Sequence, residues 1–383
     1  MKNLNDYAKR ILSGDLVAIP TETVYGLGGN AYDSSSIQKI YKIKGRPKNN
    51  PLICHVYNFD FAEENVFELS ERTRIIYKIL ADKFWPGPLT LIGRKKAKIS
   101  DEITNTGKVG VRCPNNHLTL ELLRISGVPI AAPSANRSNH ISPTSPKHVQ
   151  KEFDEDYMNS IGIKIWILDC GECCNVGVES TVIEYNEDEN SIVIFRYGSV
   201  SSKQIEFVLH SMKDKFKWFE DIKVRYFNSN KTKHEASNSC EILSPGMNIK
   251  HYSPIVKTSI IKFVSDTSKF RPIEIDLKKV IIIDFCSKLL PIKNEFCHYF
   301  SLCENDDFSF ACKNLFSILH QAEDFILNLV DDKEKYHIFI VGFEVLDDFS
   351  FPLWDRIYRA SSGNIIYSSL ADLESKKFKV FES

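Results

Sequence analysis

The sequence has no run approaching the ~18 consecutive apolar residues that a membrane-spanning helix requires. The best, around Val280 to Phe285, is strand-sized. Charge of one sign is not in excess either: Lys and Arg number 49 against 50 Asp and Glu, a formal −1. No general basic field therefore draws the chain to nucleic acid or anionic lipid, although a basic pocket can sit inside a neutral total. Met1 to Ile11 is polar and lacks the apolar core of a secretion signal. Ten cysteines at scattered spacings do not make a disulfide framework in a long chain, so reduced thiols and a cytoplasmic location are predicted, with no membrane partner. Cys170-Gly171-Glu172-Cys173-Cys174 contains a Cys-x-x-Cys, but no second Cys/His pair stands at zinc spacing and no metal site is predicted there. Also missing are a P-loop, a Gly-x-Gly-x-x-Gly fingerprint and the local signature of a hydrolase nucleophile. Repeats and low-complexity tracts are absent.

What is present is a two-domain α/β pattern. At roughly 100–200 residues per domain, 383 residues make two, and 43% hydrophobic with 26% charged residues is the balance of a globular core. Apolar runs predict strands at Leu16–Pro20, Leu52–Val56, Leu89–Gly93, Val109–Arg112, Val128–Ala132, Ile163–Leu168, Ser180–Tyr185 and Ile192–Arg196. Between them, helical periodicity marks Ser35–Lys44, Glu71–Phe84 and His117–Arg124, and Ser201 with Gln204 forms a capping box. Asn228 to Pro254 has little periodicity and reads as a linker, though prolines stiffen Ser244-Pro245-Gly246-Met247 and His251-Tyr252-Ser253-Pro254. Beyond it the α/β rhythm returns, with strands at Val280–Phe285 and His337–Val341 and helices at Ser309–Leu329 and Leu353–Ser361. The division predicted is 1–225, a linker or lid at 226–254, and a smaller domain at 255–383.

Polar clusters fall at strand ends, where α/β sheets place ligands. Pro20-Thr21-Glu22-Thr23-Val24-Tyr25-Gly26-Leu27-Gly28-Gly29 packs hydroxyls, a carboxylate and glycines into one segment, read as a turn that lines a pocket or simply caps. Lys44-Gly45-Arg46-Pro47-Lys48-Asn49-Asn50-Pro51 is a stiff cationic loop. It suits phosphate oxygens, with Arg as a planar fork and Lys as a point charge; equally, the cations satisfy the last carbonyls of a helix. Val109-Gly110-Val111-Arg112 delivers a guanidinium at a strand end, for a ligand or for a surface ion pair. Ser134 and Asn136, two apart, share one face of an extended segment.

Taken together and in this order, the segments resemble the Sua5/YrdC family of threonylcarbamoyl-AMP synthases in its longer, two-domain form. The resemblance rests on Pro20–Gly28, Lys44-Gly45-Arg46-Pro47, Ser134-x-Asn136, Glu179-Ser180-Thr181-Val182, Ser244-Pro245-Gly246-Met247 and His251-Tyr252-Ser253-Pro254. It implies an α/β fold: a twisted mixed-sheet YrdC-like domain with a concave, positively lined cavity, then a smaller Rossmann-like domain. The implied reaction joins L-threonine, bicarbonate and ATP into L-threonylcarbamoyladenylate with release of pyrophosphate. That product serves a downstream transferase machinery that makes N6-threonylcarbamoyladenosine beside the anticodon of ANN-decoding tRNAs.

By the same resemblance, Thr23, His55, Arg112 and Ser180 hold threonine. Lys44, Arg46, Asn50, Ser134, Asn136, Ser142, Arg196 and Tyr252 hold ATP, which arrives with Mg²⁺, and Lys44 and Arg46 do the catalytic charge balancing. Two positions depart from the family pattern: Lys108 stands where a small hydroxyl residue is usual, and Arg196-Tyr197-Gly198 replaces Arg-Pro-Gly. Two rival readings come with the resemblance: a module whose concave face binds RNA weakly, and a carbamoyl transferase of hydrogenase maturation. Against the second, the zinc-finger and acylphosphatase modules of those enzymes are missing.

Overall fold

The computed structural model describes residues 3–171, 173–227, 251–329, 333–369 and 378–382. Contacts divide it into two units, residues 1–138 with 142–247 and residues 139–141 with 248–383. The linker signature Ser244–Met247 and most of the predicted linker lie outside the described residues.

In the first unit ten strands form one sheet: β1 Leu16–Ile19, β2 Gly26–Asn30, β3 Ile53–His55, β4 Leu89–Arg94, β5 Lys108–Arg112, β6 Ile130–Ala131, β7 Ile165–Ile167, β8 Thr181–Asn186, β9 Ser191–Arg196 and β10 Lys223–Tyr226. Their order is β10-β9-β8-β4-β5-β3-β6-β2-β1-β7. Pairing is mixed: β3–β5 and β4–β8 run parallel, while β1–β2, β4–β5 and β8–β9 run antiparallel. The predicted mixed α/β sheet is therefore present. The periodic helices appear at Ser34–Lys44, Glu71–Phe84 and His117–Ser126. The capping box forms as read, Ser201 and Gln204 each accepting from the other's backbone at the start of Ser202–His210.

The segment Gly26–Gly29 is not a turn, as the glycines had suggested, but strand β2. A Cβ on Gly28 would stand 2.8 Å from Ile130 Cγ2 and 2.9 Å from Val17 O. Glycine is there because neighbouring strands and side chains approach too closely for a larger residue. The helix Leu4–Leu12 was missed because its sequence is polar overall. One face still buries Tyr7, Ala8 and Ile11 against Val17, Ile19, Leu122 and Leu123.

In the second unit β11 Thr258–Val264, β13 Val280–Phe285, β14 His298–Cys303, β15 His337–Val341 and β16 Ile365–Ser369 run parallel, with β12 Arg271–Ile273 and β17 Val380–Glu382 added antiparallel. The sheet order is β12-β17-β16-β11-β15-β13-β14. Strand β13 is buried at every position, as expected of a parallel strand covered on both faces. Helices Phe308–Leu327 and Phe351–Ala360 match the two predicted. Numbered within the unit, the parallel strands run 3-2-4-1-5, which differs from the 3-2-1-4-5 order of a dinucleotide-binding sheet. The α/β architecture holds, but the strand order is its own.

Candidate active site

The helix Ser34–Lys44 ends at Gly45, whose left-handed φ of 58° is one that glycine adopts without strain. Gly45 N–H donates to Lys42 O and Arg46 N–H to Tyr41 O at 3.0 Å, so backbone groups satisfy the helix end. This sets aside the reading in which the cations cap the helix. Lys44 turns away from the last carbonyls and is buried, with Nζ donating to Ser134 O at 2.6 Å and to Asn136 O. Burial, then the nearby charge of Arg46, holds the Lys44 ammonium well below the usual lysine range. Arg46 braces its own loop: Nε donates to Asn50 O at 3.0 Å, and Nη2 to Asn50 Oδ1 at 2.6 Å and Pro51 O at 2.9 Å. Lys44, Ser134 and Asn136 are thus in contact, as are Arg46 and Asn50.

A second cluster forms around Arg112. The strand-end guanidinium is buried, not a surface ion pair: Nη1 donates to Thr23 Oγ1 at 3.0 Å, Nε to Gly87 O at 3.3 Å, and Nη2 pairs with Glu22 Oε1 at 2.7 Å. His55 is the cross-strand partner of Arg112. Burial, then the Arg112 charge, lowers the His55 pKa from 6.5 to about 3. The parallel register of β4 and β8 brings Thr90 Oγ1 within 2.7 Å of Ser180 Oγ. Arg196 Nε and Nη2 each donate to Ser180, to its carbonyl and its hydroxyl, at 3.0 Å. Arg196 was expected among the ATP residues, yet here it grips a residue expected to hold threonine. The carbonyl of Gly87 and the strand opening at Leu89 tie the Arg112 and Ser180 groups to the Pro86–Pro88 bend, with Thr181 N–H donating to Pro88 O at 2.9 Å.

The two clusters are joined by backbone. Leu27 N–H donates to Pro133 O at 2.7 Å, Ala135 N–H to Tyr25 O at 2.8 Å, and Tyr25 N–H to Pro143 O at 2.8 Å. The Thr21–Tyr25 loop and the Ser134–Pro143 loop are therefore laced together. Ser142 Oγ donates to Glu179 Oε1 at 2.8 Å. Of these expected site residues in the first unit all are buried except Ser134, which is half-buried. Tyr252 belongs to the second unit, where its buried ring lies 5.3 Å from Phe316 and beneath the Arg356 guanidinium.

Sequence reasoning missed Glu22, Glu179 and Thr90 as partners. The two glutamates sit inside the quoted segments, and Thr90 is the one polar residue in the apolar run Leu89–Ile92. Lys108 is exposed and paired with Glu184 across the sheet. Tyr197, in the place of the usual proline, stacks on Tyr226 with centroids 4.6 Å apart. Beside it, Gly198 packs where a Cβ would lie 2.3 Å from Thr181 N, so the turn is held by contact instead of by a fixed φ. Cys170 and Cys173 are joined as a disulfide, correcting the expectation of thiols throughout. Among the described residues no helix is long and apolar enough to cross a membrane, and no group of three His, Cys, Asp or Glu is placed to hold a metal.

The lowered His55 pKa fixes the sign of a pH effect. Between about 3 and 6.5 the unfolded chain binds a proton that folded His55 refuses, so stability falls as pH drops through that window, by about 1.4 kcal/mol per unit at most. Denaturant midpoints from pH 7 to 4 should fall more steeply in the wild type than in His55→Gln. Parallel curves would show that His55 is not the group responsible.

Residues 9–198 match the family model Sua5_yciO_yrdC, described as telomere recombination, and residues 200–362 match Sua5_C, described as the threonylcarbamoyl-AMP synthase C-terminal domain. The threonylcarbamoyl-AMP synthase of Pyrococcus abyssi is 38% identical over 253 residues, which is 66% of this chain and 66% of that protein. The aligned part is thus just under two thirds of that relative's length. The threonylcarbamoyl-AMP synthase of Schizosaccharomyces pombe is 33% identical over 344 residues, 81% of this chain and 79% of that protein. Among solved structures, P. abyssi Sua5 complexed with L-threonine superposes with a TM-score of 0.70 at 30% identity, covering 95% of each chain.

Proposed function

Because the chain belongs to the Sua5 family of threonylcarbamoyl-AMP synthases, we propose that it condenses L-threonine, bicarbonate and ATP into L-threonylcarbamoyladenylate and pyrophosphate. The observation that carries this reading is the environment of Arg112. Two of its N–H groups donate hydrogen bonds, to Thr23 and Gly87, while Nη2 pairs with Glu22 by charge alone. A guanidinium has five donors, and those on buried Nη2 make no hydrogen bond, so they are offered to the carboxylate of an amino acid in a planar fork. Thr23, which accepts from Arg112, and Ser180 are the hydroxyls assigned to the same substrate. Neutral His55 adds no charge that would compete with Arg112 for the carboxylate.

The chemistry asks little more than position. Threonine amine and bicarbonate give a carbamate and release water, and the carbamate oxygen is already anionic. That oxygen attacks the α-phosphorus, the new O–P bond forms, the bond to the β-phosphate oxygen breaks, and pyrophosphate leaves with the electron pair. No general base is needed, which accords with a site that offers no acid–base dyad. Orientation and charge stabilisation supply the rate.

Lys44 and Arg46 balance the triphosphate, with Asn50, Ser134, Asn136, Ser142 and Arg196 as further polar contacts. Mg²⁺ is proposed to enter on the phosphates, carried by the substrate. The labile mixed anhydride calls for a consumer that transfers its threonylcarbamoyl group to the adenosine amine of tRNA.

The test is to incubate the full chain with ATP, Mg²⁺, bicarbonate and threonine and to look for the adenylate by mass spectrometry. Product must require all three substrates. Salt-sensitive RNA binding without any ATP turnover would instead support the rival RNA-binding reading.

A further inference from the structure

We infer that Cys170 and Cys173 are a reversible redox pair that sets how firmly the threonine pocket is held, a reading that rests on the pocket assignment above. The turn between β7 and β8 brings the two Cα atoms to 6.4 Å, within disulfide reach. Gly171 takes a left-handed φ of 67°, and its N–H donates to Asp169 Oδ1 at 2.9 Å. Both cysteines are half-buried, so an external thiol has access. Their neighbour Cys174 is not a competitor: it is buried, and burial together with Glu22 pushes its thiol up to about 12.

This turn is attached directly to the loop that carries Thr23 and the partner of Arg112. Cys170 N–H donates to Tyr25 Oη at 3.4 Å, and the same hydroxyl lies 3.2 Å from Cys170 Sγ. Cys174 Sγ donates to Thr21 O at 3.3 Å. Val176 N–H donates to Glu22 O at 2.8 Å. Tyr25 therefore rests on the segment that the Cys170–Cys173 bond closes, and Thr21 and Glu22 rest on Cys174 and Val176, which follow directly after it. Tyr25 passes the restraint on through its backbone bonds to Ala135 and Pro143.

The reaction is thiol–disulfide exchange with an external dithiol. One external thiolate attacks a cysteine sulfur and displaces the other as thiolate. The second external thiol then resolves the mixed disulfide, so that two electrons and two protons pass to the Cys170/Cys173 pair and the external dithiol leaves oxidised. Reduction releases the turn and loosens the grip on Thr21, Glu22 and Tyr25, weakening threonine binding without touching a reacting atom.

The experiment uses the full chain held in dithiothreitol or in glutathione disulfide. Alkylation mass analysis reads the cross-link, amide hydrogen exchange reads residues 21–25 and 176, and steady-state kinetics read KM and kcat for threonine. Expected are a Cys170–Cys173 cross-link only in the oxidised sample and faster exchange of those amides on reduction. KM for threonine should rise roughly fivefold or more with kcat little changed. Cys170→Ser/Cys173→Ser should behave as the reduced protein in both buffers. Absence of the cross-link in oxidant, identical exchange in both states, or redox sensitivity retained by the double variant would each overturn the inference. Redox-dependent exchange in a protein that never uses threonine would instead sink the pocket's substrate assignment and leave the redox pair standing.

Discussion

Replacing Arg112 by alanine is expected to cut threonine-dependent turnover severely and to destabilise the first unit. Arg112 and Glu22 form a buried ion pair at 2.7 Å, and breaking such a pair from one side costs about 3–5 kcal/mol because the survivor stays buried and uncompensated. The same change removes the fork proposed for the substrate carboxylate, for which a loss in kcat/KM of roughly 10²–10³ is expected. The two effects separate. Glu22→Gln combined with Arg112→Ala should recover much of the denaturant midpoint, because the orphaned carboxylate is gone, yet recover no activity. If the double variant regained turnover, Arg112 would be a structural brace and not a substrate contact.

Arg46→Ala is expected to lower ATP-dependent turnover by roughly 10³-fold or more, the scale of a guanidinium placed on transferring phosphates. The structural cost should be smaller, about 1 kcal/mol for each of the contacts to Asn50 and Pro51. Arg46→Lys keeps the charge but loses the planar fork that serves two carbonyls and an amide oxygen at once, so it should rescue only in part. Calorimetric titration checks ATP affinity, while a threonine-induced melting shift checks that the Arg112 cluster survives. Unchanged ATP affinity in Arg46→Ala would remove Arg46 from the nucleotide site.

Much of the fold was legible because burial leaves a period in the sequence. Val280–Phe285 and His337–Val341 were read to the residue, since strands covered on both faces read as nearly continuous apolar runs. The helix Glu71–Phe84 was legible from its apolar stripe and the prolines after Trp85, and the structure adds a Ser70 cap at its start. What escaped were elements whose local composition points elsewhere. β2 is built of glycines that a local reading assigns to a turn, and only the approach of Ile130 and Val17 explains them. Helix Leu4–Leu12 is polar on average, with its apolar face given by three residues.

The residue types of the site, and their order along the chain, were fixed by the sequence alone, because a buried hydroxyl, ammonium or guanidinium is costly unless used and so stands out against apolar strands. Only the tertiary structure decided partners. Whether Lys44 faces helix carbonyls or the Ser134 loop, whether Arg112 is exposed or locked to Glu22, and whether Arg196 sits with Ser180 all depend on strand register. Tertiary pairing brings together residues far apart in the chain, 90 positions for Lys44 with Ser134 and for Thr90 with Ser180 and 145 for Tyr25 with Cys170, and no local pattern encodes such pairings.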